Sequence, residues 1–343
     1  MSSLRIGIVG AGANTRALHI PNFQKIPEVT VAVVANRTRA SAERVAKEFG
    51  IERTVDSWRE VVEDPTIDSI CIGTWPYLHA EVAVAALAGG KHVLTEARIS
   101  RTVSEAKGMV ATLQQSQAAN SRLVGQVVPA PRTLAFDATI ADFLSSNELG
   151  VLREVLLTET GSQFVDSSKP LHWRQQYTFN GVNTLSLGIF YETVLRWLGE
   201  EATVVAADAT IFTKERVNES GQSVPVTIPD SVSFLGRYPD GAKLVGHFSG
   251  VEWGPPRAEI RLNGERGSLR LDIAKQELWL TSAGGAEKKI EPLPEKRGVW
   301  RVESDFVASI REKRPVTLTD FATGVRYMRF TEAVWRAWGG KVE

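Results

Sequence analysis

The stretch LRIGIVGAGANT, residues 4–15, joins an apolar run to a glycine-rich loop and decides the fold of the first part of the chain. The apolar run predicts a buried strand, and the residues after the loop have helical character. Gly10 permits a tight turn, and Gly12 lets the backbone approach a phosphate held by the N-terminus of the following helix. This order predicts a pyrophosphate-binding loop, although Thr15 replaces the third glycine of the G-x-G-x-x-G pattern.

Short apolar runs and amphipathic segments continue to alternate up to about residue 129. This alternation is typical of βαβ units, which form a parallel sheet covered by helices on both faces. We therefore predict an α/β domain of the Rossmann type over residues 1–125. The predicted strands are 29–35, 53–55, 68–73, 92–96 and 123–129, and the predicted helices are 13–25, 40–49, 79–90 and 102–117.

Residues 126–343 are predicted to form a second, α+β domain with an open, mainly antiparallel sheet. The turn Pro239-Asp240-Gly241 lies between two apolar alternating segments, which is typical of a hairpin. The predicted strands are 153–161, 204–212, 231–238, 242–250, 258–264, 267–273 and 277–281, and the predicted helices are 134–149, 184–198, 302–313 and 322–338.

The bulk composition excludes several classes of protein. A chain of 343 residues usually divides into two domains. Its 40 basic residues balance 40 acidic ones, so we expect neither a nucleic acid nor a membrane as partner. The single cysteine, Cys71, lies in an apolar run and fits a cytoplasmic protein. The N-terminal apolar run is short and broken by glycine, so we expect no signal peptide, and we predict no metal site.

The end of the second strand distinguishes between the two nicotinamide cofactors. An acid at this point binds the ribose 2′-hydroxyl of NAD, but this chain has Asn36-Arg37-Thr38. Arg37 can bind a 2′-phosphate through charge-assisted hydrogen bonds, and Thr38 offers a hydroxyl donor. We predict NADP as the cofactor, with NAD as the alternative. The other interpretation of Arg37 is a solvated loop arginine.

The segment DSICIGTWPYLHAEVAVAALAGGKHVLTE, residues 68–96, resembles the segment that marks the Gfo/Idh/MocA oxidoreductases. The resemblance implies a Rossmann domain followed by an open-sheet domain, and hydride transfer on sugars, cyclitols and related small molecules. It also implies a homodimer or homotetramer that associates through the outer face of the second sheet. The cofactor-binding residues that we predict from the loop, the end of the second strand and this resemblance are Gly10, Gly12, Ala13, Asn14, Thr15, Asn36, Arg37, Thr38, Thr74, Trp75, His79 and Glu96.

The chain departs from the family pattern at the positions that carry the chemistry. The family has Glu-Lys-Pro where this chain has Glu96-Ala97-Arg98, so Ala97 takes the place of the lysine that contacts the reacting hydroxyl. In the family's D-x-G-x-H signature, Gly188 is retained, but Ser186 stands for the aspartate and Phe190 for the acid/base histidine. Hydride transfer to or from a hydroxyl carbon still needs a base or a hydrogen-bonded relay.

Five residues are the candidates for a replacement. Arg98 is always protonated, so it can stabilise an oxyanion or bind a carboxylate but is a poor base. His172 and Tyr177 belong to LHWRQQY, a loop that could contact a substrate, and the alternative for His172 is a packed loop residue. Tyr191 and Glu192 follow Phe190. The alternative for Tyr191 is a core position, and for Glu192 an ion pair with Arg196 at i+4.

We therefore predict an NADP(H)-dependent oxidoreductase that acts on a sugar-like, polyhydroxylated small molecule. An anionic substrate would give Arg98 and Arg174 a partner. Two alternatives remain: a lyase or hydrolase that oxidises and re-reduces its substrate with bound NAD(P), and a redox-silent NAD(P)-binding protein.

Overall fold

The computed structural model describes residues 3–119 and 123–342. The chain forms two compact units: unit 1 is Met1–Pro129 with Arg301–Val325, and unit 2 is Ala130–Trp300 with Arg326–Glu343. The sequence-based division at residue 125 assigned Arg301–Val325 to the second domain, whereas in the structure this segment returns to the first.

The strands and helices are numbered in chain order. The strands are β1 (Leu4–Val9), β2 (Val29–Ala35), β3 (Arg53–Val55), β4 (Ser69–Ile72), β5 (His92–Thr95), β6 (Gly125–Val127), β7 (Leu152–Thr160), β8 (Thr203–Thr210), β9 (Glu215–Val217), β10 (Ser223–Pro225), β11 (Ser231–Arg237), β12 (Lys243–Ser249), β13 (Arg257–Gly264), β14 (Gly267–Asp272), β15 (Glu277–Ser282) and β16 (Lys288–Ile290). The helices are α1 (Ile20–Gln24), which continues a π-helical turn (Thr15–His19), α2 (Arg39–Phe49), α3 (Trp58–Glu63), α4 (His79–Ala88), α5 (Val103–Ala119), α6 (Leu134–Ser145), α7 (Tyr177–Asn180), α8 (Leu187–Leu198), α9 (Val302–Glu312) and α10 (Phe321–Ala337).

Unit 1 is built on a six-stranded sheet in the order β3-β2-β1-β4-β5-β6. All neighbouring strands pair in parallel, which confirms the predicted parallel sheet. Every residue of β4 is buried, as expected for a strand covered on both faces. The strand order reverses between β1 and β4, and in open α/β sheets ligands bind in the crevice at this point, beyond the carboxyl ends of the strands.

Helix α3 was not predicted from the sequence. Its start is fixed by a capping box in which Ser57 accepts a backbone hydrogen bond and Glu60 accepts one from the backbone of Ser57. This pattern is a local signal for a helix start, and it stands in the sequence as S-W-R-E.

The segment 301–325 belongs to unit 1 because it packs on the first helix and on the edge of the sheet. The ring of Phe306 meets that of Phe23 edge to face at 6.4 Å. At the sheet edge, the backbone N–H of Val127 donates to the carbonyl of Thr319 at 2.9 Å. The backbone hydrogen bond satisfies a group on β6 that an edge strand leaves open.

Unit 2 contains an eight-stranded sheet in the order β16-β15-β14-β13-β7-β12-β11-β8. The pairings are antiparallel except that of β7 with β12, so the predicted open, mainly antiparallel sheet is confirmed. One face is covered by helices, and Phe190 of α8 meets Phe248 of β12 there at 5.3 Å. Helix α8 begins at Leu187 rather than at residue 184, because Leu185 has a positive φ of 48° that is incompatible with a right-handed helix.

Within the described ranges 3–119 and 123–342, no helix has both the length and the apolar character needed to cross a membrane.

Candidate functional site

The loop after β1 places its two glycines in different surroundings. Gly10 has a φ of 85°, and a Cβ atom there would lie 2.6 Å from the side chain of Thr74. A Cβ atom on Gly12 would meet only the carbonyl of Gly73, at 3.7 Å. The fold of unit 1 therefore requires glycine at position 10, whereas at position 12 it does not. The open space over Gly12 is what a phosphate needs to approach the backbone, so the loop fits a dinucleotide.

Thr15, which replaces the third glycine of the fingerprint, is accommodated by a glycine on the neighbouring strand. Its side chain is buried, and its hydroxyl donates to the carbonyl of Gly10 at 3.3 Å. A Cβ atom on Gly73 would lie 2.0 Å from the Thr15 hydroxyl. The close approach that the third glycine usually permits is thus provided from the other side, by Gly73 at the end of β4.

A cleft of about 390 Å³ lies at the carboxyl ends of β1, β2 and β4. Among the described residues, its charged lining side chains are Arg37 and Asp56. Six of the predicted cofactor residues line it: Gly10, Gly12, Asn36, Arg37, Thr74 and Trp75. The other six are outside its lining: Ala13, Asn14, Thr15, Thr38, His79 and Glu96.

The residues at the end of β2 organise this cleft. The side-chain oxygen of Asn36, Oδ1, accepts from the N–H of Ala11 at 2.6 Å, and its side-chain nitrogen, Nδ2, donates to the hydroxyl of Ser41 at 3.0 Å. Thr38 is the N-cap of α2, where its hydroxyl accepts from the N–H of Ser41. Asn36 therefore ties the glycine loop to the start of α2, and Arg37 is exposed between them.

A buried charge network lies directly beside the glycine loop, and sequence reasoning missed it. The fully buried His19 holds Glu303 at 2.5 Å through Nδ1 and Glu96 at 3.0 Å through Nε2. Asn14 donates to Glu96, and Asn22 donates to Glu303 at 3.2 Å. We call Glu96, His19 and Glu303 the buried triad. The sequence signal for it is a histidine four residues after Thr15, on the helix that follows the fingerprint.

The two carboxylates decide the protonation of His19. Burial lowers the pKa of His19, but the hydrogen bonds and charges of Glu303 and Glu96 outweigh burial and raise that pKa to about 9. For Glu96, burial acts in the opposite direction and raises the pKa of the carboxyl group. The hydrogen bonds from His19 and Asn14 outweigh burial, so the pKa of Glu96 is below its usual range. At neutral pH the triad contains an imidazolium.

His79 and Arg98 are both buried in unit 1. The ring nitrogens of His79 lie 2.8 Å from the carbonyl oxygen of Arg98 and 2.9 Å from that of Thr74. Burial lowers the pKa of His79, and this effect outweighs the contacts with the two backbone carbonyls, which raise it. His79 therefore connects the loops that follow β4 and β5. Arg98 is 5% exposed, at the carboxyl end of β5.

In unit 2, His172 and Tyr177 are accessible. His172 caps a short 3₁₀ turn (Trp173–Gln175), and its Nδ1 accepts from the N–H of Arg174 at 3.2 Å. Partial burial and the charge of Arg174 lower the pKa of His172. The ring is thus neutral with its proton on Nε2, which suits a hydrogen-bond donor rather than a base. The ring of Tyr177 is half-buried against Trp335, at 5.5 Å.

Tyr191 and Glu192, two of the five candidates for a replacement, are core residues. The ring of Tyr191 is fully buried and stacked on Phe330 at 3.8 Å, and its hydroxyl accepts from the N–H of Ala202. Burial raises the pKa of this hydroxyl, which makes it a weak acid. Glu192 is 3% exposed and pairs with Arg196 at 2.7 Å, as the i+4 alternative proposed. Neither side chain has surface to offer to a ligand.

A polar cluster surrounds the two positions where the family signature is lost. The hydroxyl of Ser186 donates to Glu159, at the end of β7, and Glu159 also pairs with Arg132. The guanidinium of Arg132 lies over the ring of Phe190 at 5.8 Å. The side chains of Glu159 and Arg132 are 26% and 39% exposed. Sequence reasoning did not find this cluster, because its members are far apart in the chain.

Two family models match the chain, and together they cover most of it. The model described as an oxidoreductase family with an NAD-binding Rossmann fold matches residues 4–121. The model of the GFO/IDH/MocA C-terminal domain matches residues 138–270.

Curated relatives match along much of the chain. The dTDP-3,4-didehydro-2,6-dideoxy-alpha-D-glucose 3-reductase of Streptomyces antibioticus is 30% identical and covers 96% of both chains. Levoglucosan dehydrogenase of Pseudarthrobacter phenanthrenivorans is 26% identical over 71% of this chain, which spans 66% of that protein.

Solved structures show the same fold. An oxidoreductase domain protein from Kribbella flavida superposes with a TM-score of 0.87 at 23% identity, over 98% of this chain and 97% of the other. Levoglucosan dehydrogenase in complex with NADH and levoglucosan has a TM-score of 0.84 at 23% identity, over 98% and 97%.

Proposed function

Because the chain belongs to the Gfo/Idh/MocA family of NAD(P)-dependent oxidoreductases, we propose that it transfers hydride between NADP(H) and a carbon of a sugar-like, polyhydroxylated small molecule. The nicotinamide supplies or accepts the hydride, and the residues of the chain bind, orient and handle the proton. The names of two relatives, a levoglucosan dehydrogenase and a dTDP-sugar reductase, support a sugar-like substrate.

The end of β2 carries the proposal for NADP. Asn36 is neutral and engaged with the glycine loop, and Arg37 lines the cleft beside it. The acid in this lining, Asp56, is at the end of β3 and pairs with Arg39 at 3.4 Å. A 2′-phosphate at the end of β2 would therefore meet a cation and the capped start of α2 rather than a carboxylate.

Binding measurements test this preference without a substrate. NADPH and NADH are titrated by calorimetry into wild type, Arg37→Ala and, as control, Arg44→Ala. Arg44 is an exposed arginine of α2. Loss of an exposed charge-assisted bond should weaken NADPH binding about ten-fold and leave NADH unchanged. Equal affinity of wild type for both cofactors would show that the chain does not select the phosphate.

For the substrate, we propose that Arg98 of unit 1 stabilises negative charge on the reacting oxygen. In unit 2, we propose that His172 donates a hydrogen bond from Nε2 to a substrate oxygen. Tyr177 can help to orient the substrate. Glu159 takes the place of the aspartate that the family signature has at position 186. Ser186 can receive a proton from a substrate hydroxyl and pass its own proton to Glu159. An anionic sugar would in addition pair with Arg98 or Arg174.

An absorbance assay at 340 nm over a panel of neutral and acidic sugars tests these roles. Arg98→Ala, His172→Ala and Glu159→Gln are compared with Glu154→Gln, which removes a carboxylate from the opposite end of β7. General acid–base residues contribute about 10²–10⁴-fold, so Glu159→Gln should lower kcat by at least about 10²-fold. If each of the three single variants keeps the turnover of wild type, the proposed roles of Arg98, His172 and Glu159 are wrong.

A second function is favoured by Ala97 and Phe190, which cannot handle a proton. A lyase or hydrolase with transiently oxidised substrate would form product without net change in absorbance at 340 nm. Product analysis by mass spectrometry in the same reactions separates this function from a dehydrogenase. A chain that binds NADPH and gives no product would be the redox-silent alternative.

We also propose that the protein associates as a homodimer or homotetramer through the outer face of the unit 2 sheet. An apolar row crosses that face, formed by the paired residues Leu156, Val245 and Leu235, and Leu235 is 50% exposed. Light scattering of wild type and Leu235→Lys tests this, because a charge in an apolar interface should dissociate it.

A further inference from the structure

The buried triad combines two carboxylates with one cation. Both ring nitrogens of His19 face carboxylate oxygens, at 2.5 Å and 3.0 Å, so both must donate and the ring is an imidazolium. Asn14 and Asn22 add neutral amides. The formal charge of the triad is therefore −1, enclosed where His19 and Glu303 have almost no contact with water.

The triad lies on the half of unit 1 where a nicotinamide is expected. The cleft with Asn36 and Arg37 lies towards β2, the half of the sheet that takes the adenosine end in this fold. The other end of a dinucleotide then extends across the switch point towards β4 and β5. Glu96 follows directly after β5, and its side chain is 16% exposed.

We propose that the buried triad shifts the relative affinity of this site towards the oxidised form of the cofactor. The inference rests on the proposed function, since it needs a bound pyridine dinucleotide. It concerns a property that the assignment of a cofactor leaves open, namely the relative affinity for its two redox states.

The physical reason is a difference of one charge. The oxidised nicotinamide ring is cationic and the reduced ring is neutral, whereas the pyrophosphate and the adenosine end are the same in both. A negative charge beside the ring therefore stabilises the oxidised form alone. Arg98 brings a cation to the same loop, but it is common to wild type and to the variants below. The triad is enclosed by protein, so counter-ions screen it less than a surface charge.

The experiment measures the ratio of the dissociation constants, Kd(NADP⁺)/Kd(NADPH), by calorimetry for wild type and Glu303→Gln. A pH of about 6 keeps the imidazolium beside its remaining carboxylate. One unit charge at roughly 10 Å and an effective dielectric constant of about 20 changes relative affinity about ten-fold. We expect the ratio to rise about ten-fold in Glu303→Gln.

Two controls separate charge from structure. Asp68→Asn removes the same charge at the amino end of β4, opposite the carboxyl end where the cleft lies. The exposed Asp68 accepts from the N–H of Arg5 there, and this substitution should leave the ratio within two-fold of wild type. Glu303→Asp keeps the charge and should also leave it unchanged. If Glu303→Gln does not fold, Glu96→Gln removes a charge from the same triad and should raise the ratio likewise.

Each outcome decides between the inferences. A ratio within two-fold of wild type in folded Glu303→Gln, or an equal change in Glu303→Asp, overturns the role of the triad and leaves the proposed cofactor intact. Absence of binding of either redox form to wild type overturns the proposed function and this inference with it.

Discussion

His19 links the stability of unit 1 to pH through the buried triad. Its imidazolium is held between Glu303 and Glu96, and its pKa is raised from 6.5 to about 9 in the folded protein. A histidine whose folded pKa is raised stabilises the fold fully below its unfolded pKa of 6.5. This contribution is lost as the pH rises through about 9. The perturbation is therefore a simple increase in pH.

The magnitude follows from the two pKa values. The difference between 6.5 and about 9, at about 1.4 kcal/mol per pH unit, corresponds to about 3 kcal/mol of unfolding free energy. Because His19 is fully buried, solvent does not reduce this value as it would at the surface. A loss of this size is a large share of the stability of a typical domain, about 5–15 kcal/mol.

Urea unfolding of wild type and His19→Gln at about pH 6 and about pH 9.5 measures the effect. Lysines and tyrosines that titrate at alkaline pH contribute equally to both proteins, so the difference between them isolates His19. We expect the free-energy advantage of wild type to fall by about 3 kcal/mol between the two pH values. His172→Gln, in unit 2, should show no such decrease, because the pKa of His172 is lowered. An advantage of wild type that stays within about 0.5 kcal/mol over this range would refute a charged His19.

Three further substitutions test the site and the core. Gly12→Ala should leave the urea midpoint nearly unchanged, because the added Cβ meets no protein atom closer than 3.7 Å. The same Cβ occupies the space through which a phosphate approaches the backbone, so dinucleotide binding should weaken at least about ten-fold. Equal loss of stability and binding would assign Gly12 to the fold alone. Gly73→Ala should destabilise unit 1 by about 1–3 kcal/mol, since its Cβ would lie 2.0 Å from the Thr15 hydroxyl, and Gly73→Ala combined with Thr15→Gly should recover part of this in the same urea titration. Tyr191→Phe should cost about 1 kcal/mol through the lost bond to Ala202 and leave kcat unchanged, whereas a large loss of kcat in a stable variant would return Tyr191 to the site.

Sequence reasoning was most effective where the signals are local. The alternation of apolar runs and helices predicted the parallel sheet of unit 1, and Gly10 and Gly12 identified the loop on which the cleft is built. It was least effective on α8, where the positions of Tyr191 and Glu192 could not be assigned to a face. Adjacent residues of a helix point about 100° apart, and only the packing on Phe330 and Arg196 shows which way each one turns.

By itself, the sequence determined the fold class, the glycine loop after β1 and the absence of an acid at the end of β2, because glycine spacing, apolar periodicity and side-chain charge act over a few residues. Only the tertiary structure decided which charges meet. His19 and Glu303 are 284 positions apart, and Ser186 reaches Glu159 across 27. Such pairs depend on how the chain returns to its own sheet, and a hydrogen bond is sensitive to ångström distances that no local pattern encodes.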